Sequence, residues 1–460
     1  LSFLKDFLQR CTELDLQTLK RIDLRGNEYD VLHYTIKVRR DSKISDDLIQ
    51  QHFAFSKSYF DKLNSVLLKK VLNTLTDGTD DKVLGYLLEK DLIHHFIHEL
   101  RIRERSIEKS GNSIEKSKFY RQVFHHVRRF PVSEYDDELT KKYAKKYLKS
   151  LPSFTEEDEA EIWLMYEFSR VFIFAASGKM NEHETAFLNT MQKWWSKIGS
   201  KPYPRAQFHY HLAFASYYDF YTGDYKALVK TLQNANDAYE KAGGTLAENY
   251  KVFVITKLAK AHCQGSKFTE ALSLYRDAFE RYEIQLTRNL FHPLMFAVIA
   301  IINGKYTEAE KMMDAHLRHL LNSDIDSTLE FDVVRTYAVL HMNKGEFNKA
   351  FEYIERALQF KRTGISLLGD ILLRMVHNAY FIMTGDLETA KTTLARNQKF
   401  LNTKQKDKMT EEYGGYFTML RDIIKHREGK KLPEDFAQKM QPYREGIMKL
   451  YGDLLDKMID

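Results

Sequence analysis

The chain is 460 residues long, enough for two or three core-sized units or one long array. It is 43% hydrophobic with only 7 prolines and 20 glycines, which excludes a disordered chain and reads as a helical globular protein. The net charge of +6 is small for this length, and two cysteines, Cys11 and Cys263, are too few and too far apart for a disulfide framework, so a reducing, cytoplasmic setting is expected.

The opening run Leu1-Ser2-Phe3-Leu4-Lys5-Asp6 alternates apolar and charged residues, unlike a secretory leader. Residues 1–150 carry no repeat but read as helix over 2–22, 44–75, 81–109, 113–130 and 134–149. Residues Val31 to Val38 alternate like a strand; with no partner strands nearby, helix is preferred. Breaks are expected at Thr76–Thr79, Ser110–Asn112 and Ser150–Ser153, and the last is read as a domain boundary.

Within this region His94, His95, His98 and Glu99 form the densest ligand-like cluster. His94 and His98, four apart, share a helix face, but no further ligand completes a zinc set and the order differs from H-E-x-x-H. No metal is therefore expected. Residues 101–150 carry 14 Lys and Arg against 7 Asp and Glu, including Arg128 and Arg129 beside His125 and His126, with Phe119, Tyr120 and Phe124 between them. Glu104, Glu108 and Glu115 interrupt this charge, which argues against a nucleic-acid partner. Residues 151–200 carry 4 basic against 8 acidic residues. Both blocks are read as solvated helix faces rather than as elements that face each other.

From 155 onward the chain reads as helix pairs. The first, 156–177 and 181–198, turns at Gly178. A phrase then recurs: a glycine, an aromatic or aliphatic residue, and an alanine soon after. Tyr225, Phe268, Tyr306, Phe347 and Leu387 lie 43, 38, 41 and 40 residues apart, the period of a stacked-repeat solenoid. The spacing predicts first helices over 206–222, 247–264, 286–303, 328–344 and 367–384, and second helices over 225–241, 268–282, 306–321, 347–361 and 387–401. Glycine accepts the left-handed backbone that ends a helix. Nine residues before the recurrent position stand Ser216, Ala259, Ala297, Ala338 and Asn378; three after it stand Leu228, Ala271, Ala309, Ala350 and Ala390. Such small residues let paired helices approach closely. Beyond them, 409–428 and 434–457 read as closing helices, with a break expected at Pro442. The longest apolar stretch, Phe291 to Ile302, is 12 residues against the roughly 20 that span a bilayer, so no membrane is expected. No phosphate-binding, dinucleotide-binding or nucleophile-elbow motif occurs, and no enzyme or cofactor is expected.

The copy Gly345-Glu346-Phe347, with Ala350, Ile354 and Ala357, resembles the tetratricopeptide repeat family. The copy Phe268, Ala271, Tyr275 and Ala278 is similar. The period of about 40 exceeds that family's 34 residues. His316 and Asn397 stand where a small alanine is usual, and Ala227 comes one residue early, so the copies are divergent. The resemblance covers 205–401. It implies an all-α superhelix with a concave groove lined by first-helix residues; the residues themselves divide the chain into a helical region 1–150, helix-pair repeats 151–408 and closing helices 409–460. Carried over position by position, that groove includes Tyr210, Tyr217, Phe220, Tyr221, Phe253, Lys260, Phe291, Leu294, Val298, Arg335, Met342 and Asn343. So apolar a groove is expected to be filled, by a partner or by the chain itself, unless tighter coiling buries it as core. The expected function is a non-enzymatic protein- or peptide-binding scaffold, for which a homo-oligomer is possible. One alternative is a peptide-sensing regulator whose N-terminal helices act on a signalling partner. Another is a metal-dependent enzyme at His94 and His98.

Overall fold

The computed structural model describes residues 3–11, 13–39, 41, 43–76, 80–89, 92–110, 112–128, 134–176, 178–287, 290–318, 328–360, 367–403 and 408–459. Residues 77–79, Gly111 and Arg129, singled out above, lie outside these. The chain divides into two compact units, Leu1–Ser216 and Tyr217–Asp460. The described residues are overwhelmingly helical and include no strand.

The first unit holds α1 (Phe3–Arg10), α2 (Glu13–Leu19), α3 (Asn27–Val38), α4 (Asp46–His52), α5 (Lys57–Thr76), α6 (Asp80–Glu89), α7 (Ile93–Ser110), α8 (Ser113–Val127), α9 (Glu134–Ser150), α10 (Glu156–Ala176), α11 (Met180–Ile198) and α12 (Pro204–Tyr217). The strand-like stretch is α3. Its buried residues Val31, Leu32, Thr35, Ile36 and Val38 recur at helical rather than two-residue spacing. The long helix expected over 44–75 is two helices, parted where Ala54 turns left-handed at φ 51. The boundary expected near 150 lies inside this unit, because α9 packs on both α8 and α10.

Its charge blocks pair locally. Lys146 lies 2.5 Å from Glu104, and Lys116 lies 3.4 Å from Glu108, both partners coming from the glutamates that interrupt the basic run. The acidic start of α10 gathers instead around the Arg205 guanidinium, with Glu161 at 2.7 Å and Asp158 at 2.8 Å. Phe119, Tyr120 and Phe124 are buried, as is Arg128, so none of them is available to stack on a base or reach a phosphate.

The second unit opens with a π-helical turn, Tyr218–Thr222, followed by α13 (Tyr225–Lys241), α14 (Glu248–Gln264), α15 (Phe268–Thr287), α16 (Phe291–Ile302), α17 (Tyr306–His316), α18 (Thr328–Lys344), α19 (Phe347–Gln359), α20 (Leu367–Met383), α21 (Leu387–Thr403), α22 (Lys408–Arg427), α23 (Phe436–Met440) and α24 (Lys449–Ile459). Each helix packs on the next from α13 to α22, and α16, α18, α20 and α22 also touch in succession. This is an all-α solenoid of helix pairs, with the first helices forming the inner layer.

Gly304, Gly345 and Gly385 take φ of 70, 75 and 80 at the turns within pairs. In the α14–α15 turn the left-handed residue is Ser266, φ 60, and Gly265 precedes it in an ordinary conformation. That one-residue offset matches the extra residue between Gly265 and Phe268. Ala259, Ala271, Ala297, Ala309, Ala338, Ala350 and Ala390 are fully buried, which is what allows the pairs to close. Helix α16 starts five residues later than its periodicity predicts. Its Pro293 then falls in the first turn, where a missing N–H breaks no helical hydrogen bond.

Candidate functional site

The inner layer of the second unit is the surface that the sequence assigns to binding. Much of it is covered by the chain's own last helix. Pro442 breaks the final helix as expected, giving α23, two short 3₁₀ turns (Gln441–Arg444 and Gly446–Met448), and α24. Helix α24 packs on α16, α20 and α22, and the preceding 3₁₀ turn reaches α14. It buries Leu450, Tyr451, Leu454, Leu455 and Met458 against this layer.

Polar contacts fix its register. Arg335 of α18, itself paired with Asp332 at 2.7 Å, donates to the Tyr451 hydroxyl at 2.9 Å. Tyr416 of α22 donates to the Tyr451 carbonyl at 3.3 Å, and Arg427 to the Met458 carbonyl at 2.8 Å. Lys457 donates to the carbonyl and side-chain oxygens of Asn343 at 2.8 and 2.9 Å. Its ammonium thus caps the C-terminal end of α18, where the helix dipole favours a cation. Burial lowers the Lys457 pKa, and nearby Asp453 offsets this only in part.

The predicted groove residues therefore divide into groups. Leu294, Val298, Met342 and Asn343 are buried in the layer, and Arg335 is a direct partner of α24. Tyr210 belongs to the first unit, where its ring lies 4.5 Å from Trp195. Tyr217 is buried beside a half-buried Tyr221, their rings 5.5 Å apart. Phe220 and Phe291 remain exposed, at 43% and 49%, and Phe253 and Lys260 are half-buried.

Around Phe220 the π-helical turn builds a small electrostatic site, a form of helix often found at functional positions. Asp219, with only 3% of its side chain exposed, accepts from Lys257 at 2.6 Å and Lys260 at 3.3 Å. Both ammonium groups stand over the Phe220 ring, at 4.6 and 6.0 Å, and Lys257 also lies 5.8 Å from the Phe253 ring. Burial would raise the Asp219 carboxyl; Lys257 and then Lys260 outweigh it and hold the group below its ordinary value. One carboxylate with two lysines leaves a surplus positive charge beside apolar rings. Asp219 and Lys257 were missed in the sequence. The available signal was a lone acid inside the aromatic run Tyr217-Tyr218-Asp219-Phe220-Tyr221.

Other clusters behave differently. His94 and His98 are exposed on α7 while His95 is buried. His98 and Glu99 border a cleft of about 810 Å³ between α5 and α7, floored by Leu68, Leu72 and Val83. Burial raises the Glu99 carboxyl. Among the described residues, the group of three metal-ligating side chains with ligand atoms within 4.8 Å of one another is Glu310, His341 and Glu346. Lys344 lies 2.8 Å from Glu310 and 2.7 Å from Glu346, and Lys349 lies 3.0 Å from Glu346. Lys344 thus bridges the two carboxylates and Lys349 adds a second ammonium on Glu346, so this acidic charge is already paired within the chain. Hydrogen bonds from Lys344 and then Lys349 hold the Glu346 carboxyl down to about 2.

Among the described residues no helix is long and apolar enough to cross a membrane. No family model matches this sequence, and no curated protein matches it.

Proposed function

We propose that the chain is a non-enzymatic protein-interaction scaffold, a divergent relative of tetratricopeptide repeat proteins, which holds a partner's peptide segment on the inner layer of its second unit. The observation that carries this reading is the end of that layer formed by the π-helical turn and α14. There the Phe220 ring is exposed beneath the paired Lys257 and Lys260 ammonium groups, next to Phe253. Exposed aromatic surface beside surplus positive charge suits a segment that is both apolar and acidic. The two cysteines are buried and not joined in a disulfide, which fits a reducing compartment such as the cytoplasm.

The test is binding of the full chain to an array of short peptides that vary in acidic and aromatic content. The expected result is selective retention of acidic–aromatic peptides, with affinity falling about tenfold or more on Phe220→Ala or Lys260→Glu. Equal retention by the natural chain and both variants counts against the reading.

A further inference from the structure

We infer that the inner layer between α16 and α22 is a receptor for one amphipathic helix, and that α24 is its resident, exchangeable occupant. The competing partner is a helix of another chain with the same chemistry: a stripe of tyrosine, leucine and methionine closed by a lysine. The inference deepens the scaffold reading and rests on it for the existence of a partner.

Helix α24 has the features of a bound peptide. It is 11 residues long, below the roughly 12–15 at which an isolated helix becomes marginally stable, so the surface beneath it templates its conformation. Its buried positions Leu450, Leu454 and Met458 follow one another at i, i+4 and i+8, with Tyr451 and Leu455 widening the stripe. Asp453 and Asp456, off this stripe, are partly exposed. This is the pattern by which grooves recognise helices.

The layer reads this helix by more than apolar contact. Arg335 reads the tyrosine hydroxyl, and Asn343 reads the lysine ammonium. Burying Lys457 against neutral oxygen acceptors lowers its pKa, whereas a methionine there would need no such partners. The anchors therefore select a lysine at one point of the stripe and an aromatic hydroxyl six residues before it. They set direction and register, which apolar packing alone leaves loose.

The joint before α24 is made of short elements: two 3₁₀ turns, Pro442, and Gly446 at φ 51. Runs of 3₁₀ helix have poorer hydrogen-bond geometry than α-helix and often mark hinges. Gly446 is tied to Ser266, its N–H donating to the hydroxyl at 3.2 Å, so the joint itself is anchored while α24 extends from it.

The experiment uses the full chain with Leu454→Asp and Leu455→Asp, which weaken its own helix, and a fluorescein-labelled peptide of residues 446–460. The double variant is expected to bind the peptide saturably in fluorescence anisotropy, at least about tenfold tighter than the natural chain, where α24 competes intramolecularly. The peptide is expected to raise the variant's melting temperature, and the same peptide with Lys457→Glu to bind about tenfold more weakly. A folded double variant that captures no peptide overturns the proposal. So does an unfolded one that the peptide does not restore, because α24 is then an inseparable part of the core. Phe220→Ala separates the two surfaces: it is expected to leave peptide capture unchanged, so the Phe220 site can fail on the array while the α24 surface still captures its helix.

Discussion

Lys457 and Asn343 lie 114 positions apart in the chain, yet the lysine ammonium sits 2.8 Å from the asparagine carbonyl oxygen and 2.9 Å from its side-chain oxygen. The contact joins the last helix to the end of the fourth repeat's first helix. It shows that the chain supplies a cover for its own inner layer. Surface that repeat spacing marks as groove is, over most of α16 to α22, the floor beneath α24.

Lys457→Ala should remove a cap from α18 and leave the Asn343 oxygens partly desolvated without a donor. The expected loss of stability is about 1–3 kcal/mol, in the range for hydrogen bonds to charged groups. Asn343→Ala should cost a similar amount, and the double variant less than the sum of the two, read from urea denaturation in a double-mutant cycle.

Ala350→Leu should destabilise the fold by about 1–3 kcal/mol, because Ala350 is fully buried where α18 and α19 close on one another, and added methylenes force the pair apart. A thermal melt reads the change; a variant as stable as the natural chain would show that the pair has slack.

Asn378→Ala should be neutral or stabilising. Asn378 is fully buried in the small slot between α20 and α21 that alanine fills in three other repeats. Its amide nitrogen donates to the Arg374 carbonyl at 3.1 Å, but its side-chain oxygen lacks a hydrogen bond. Removing that oxygen relieves a penalty of about 1–3 kcal/mol, offset by the loss of one hydrogen bond.

Tyr217→Ala and Phe220→Ala should differ sharply. Tyr217 is buried and its truncation is expected to cost about 3–5 kcal/mol, whereas Phe220, 43% exposed, should cost less than about 1 kcal/mol. Equal shifts in melting temperature would place both rings in the same environment.

Acid should weaken the second unit in a defined window. Burial, with a smaller contribution from Arg374, pushes the His377 imidazole down to about 4 from an ordinary 6.5. The unfolded chain therefore takes up a proton before the folded one does. Stability is fully present above pH 6.5, falls as the pH drops to about 4, and falls no further on this account. The contribution at stake is about 3 kcal/mol. His262 and His292 are lowered by burial and act in the same direction. Denaturation midpoints at pH 7 and pH 5 for the natural chain and for His377→Gln should show a smaller difference in the variant.

The repeats were legible in the sequence because their cause is local. Glycine supplies the left-handed turn at Gly304, Gly345 and Gly385, and the buried alanines at fixed offsets state how closely each pair must pack. These periodicities determined the helices, their order and which of them form the inner layer. Tertiary structure alone decided which parts of that layer remain open. Leu450, Leu454 and Met458 announce an amphipathic helix but do not say where its apolar stripe is buried. That answer depends on Arg335, Asn343 and Arg427, each distant in sequence from the residue it contacts. The Asp219 site follows the same logic, since the carboxylate and its lysines lie 38 and 41 positions apart. Backbone preference and helical period act over a few residues and are written in order along the chain. Burial and charge pairing depend on proximity in space, which exists only once the helices have stacked.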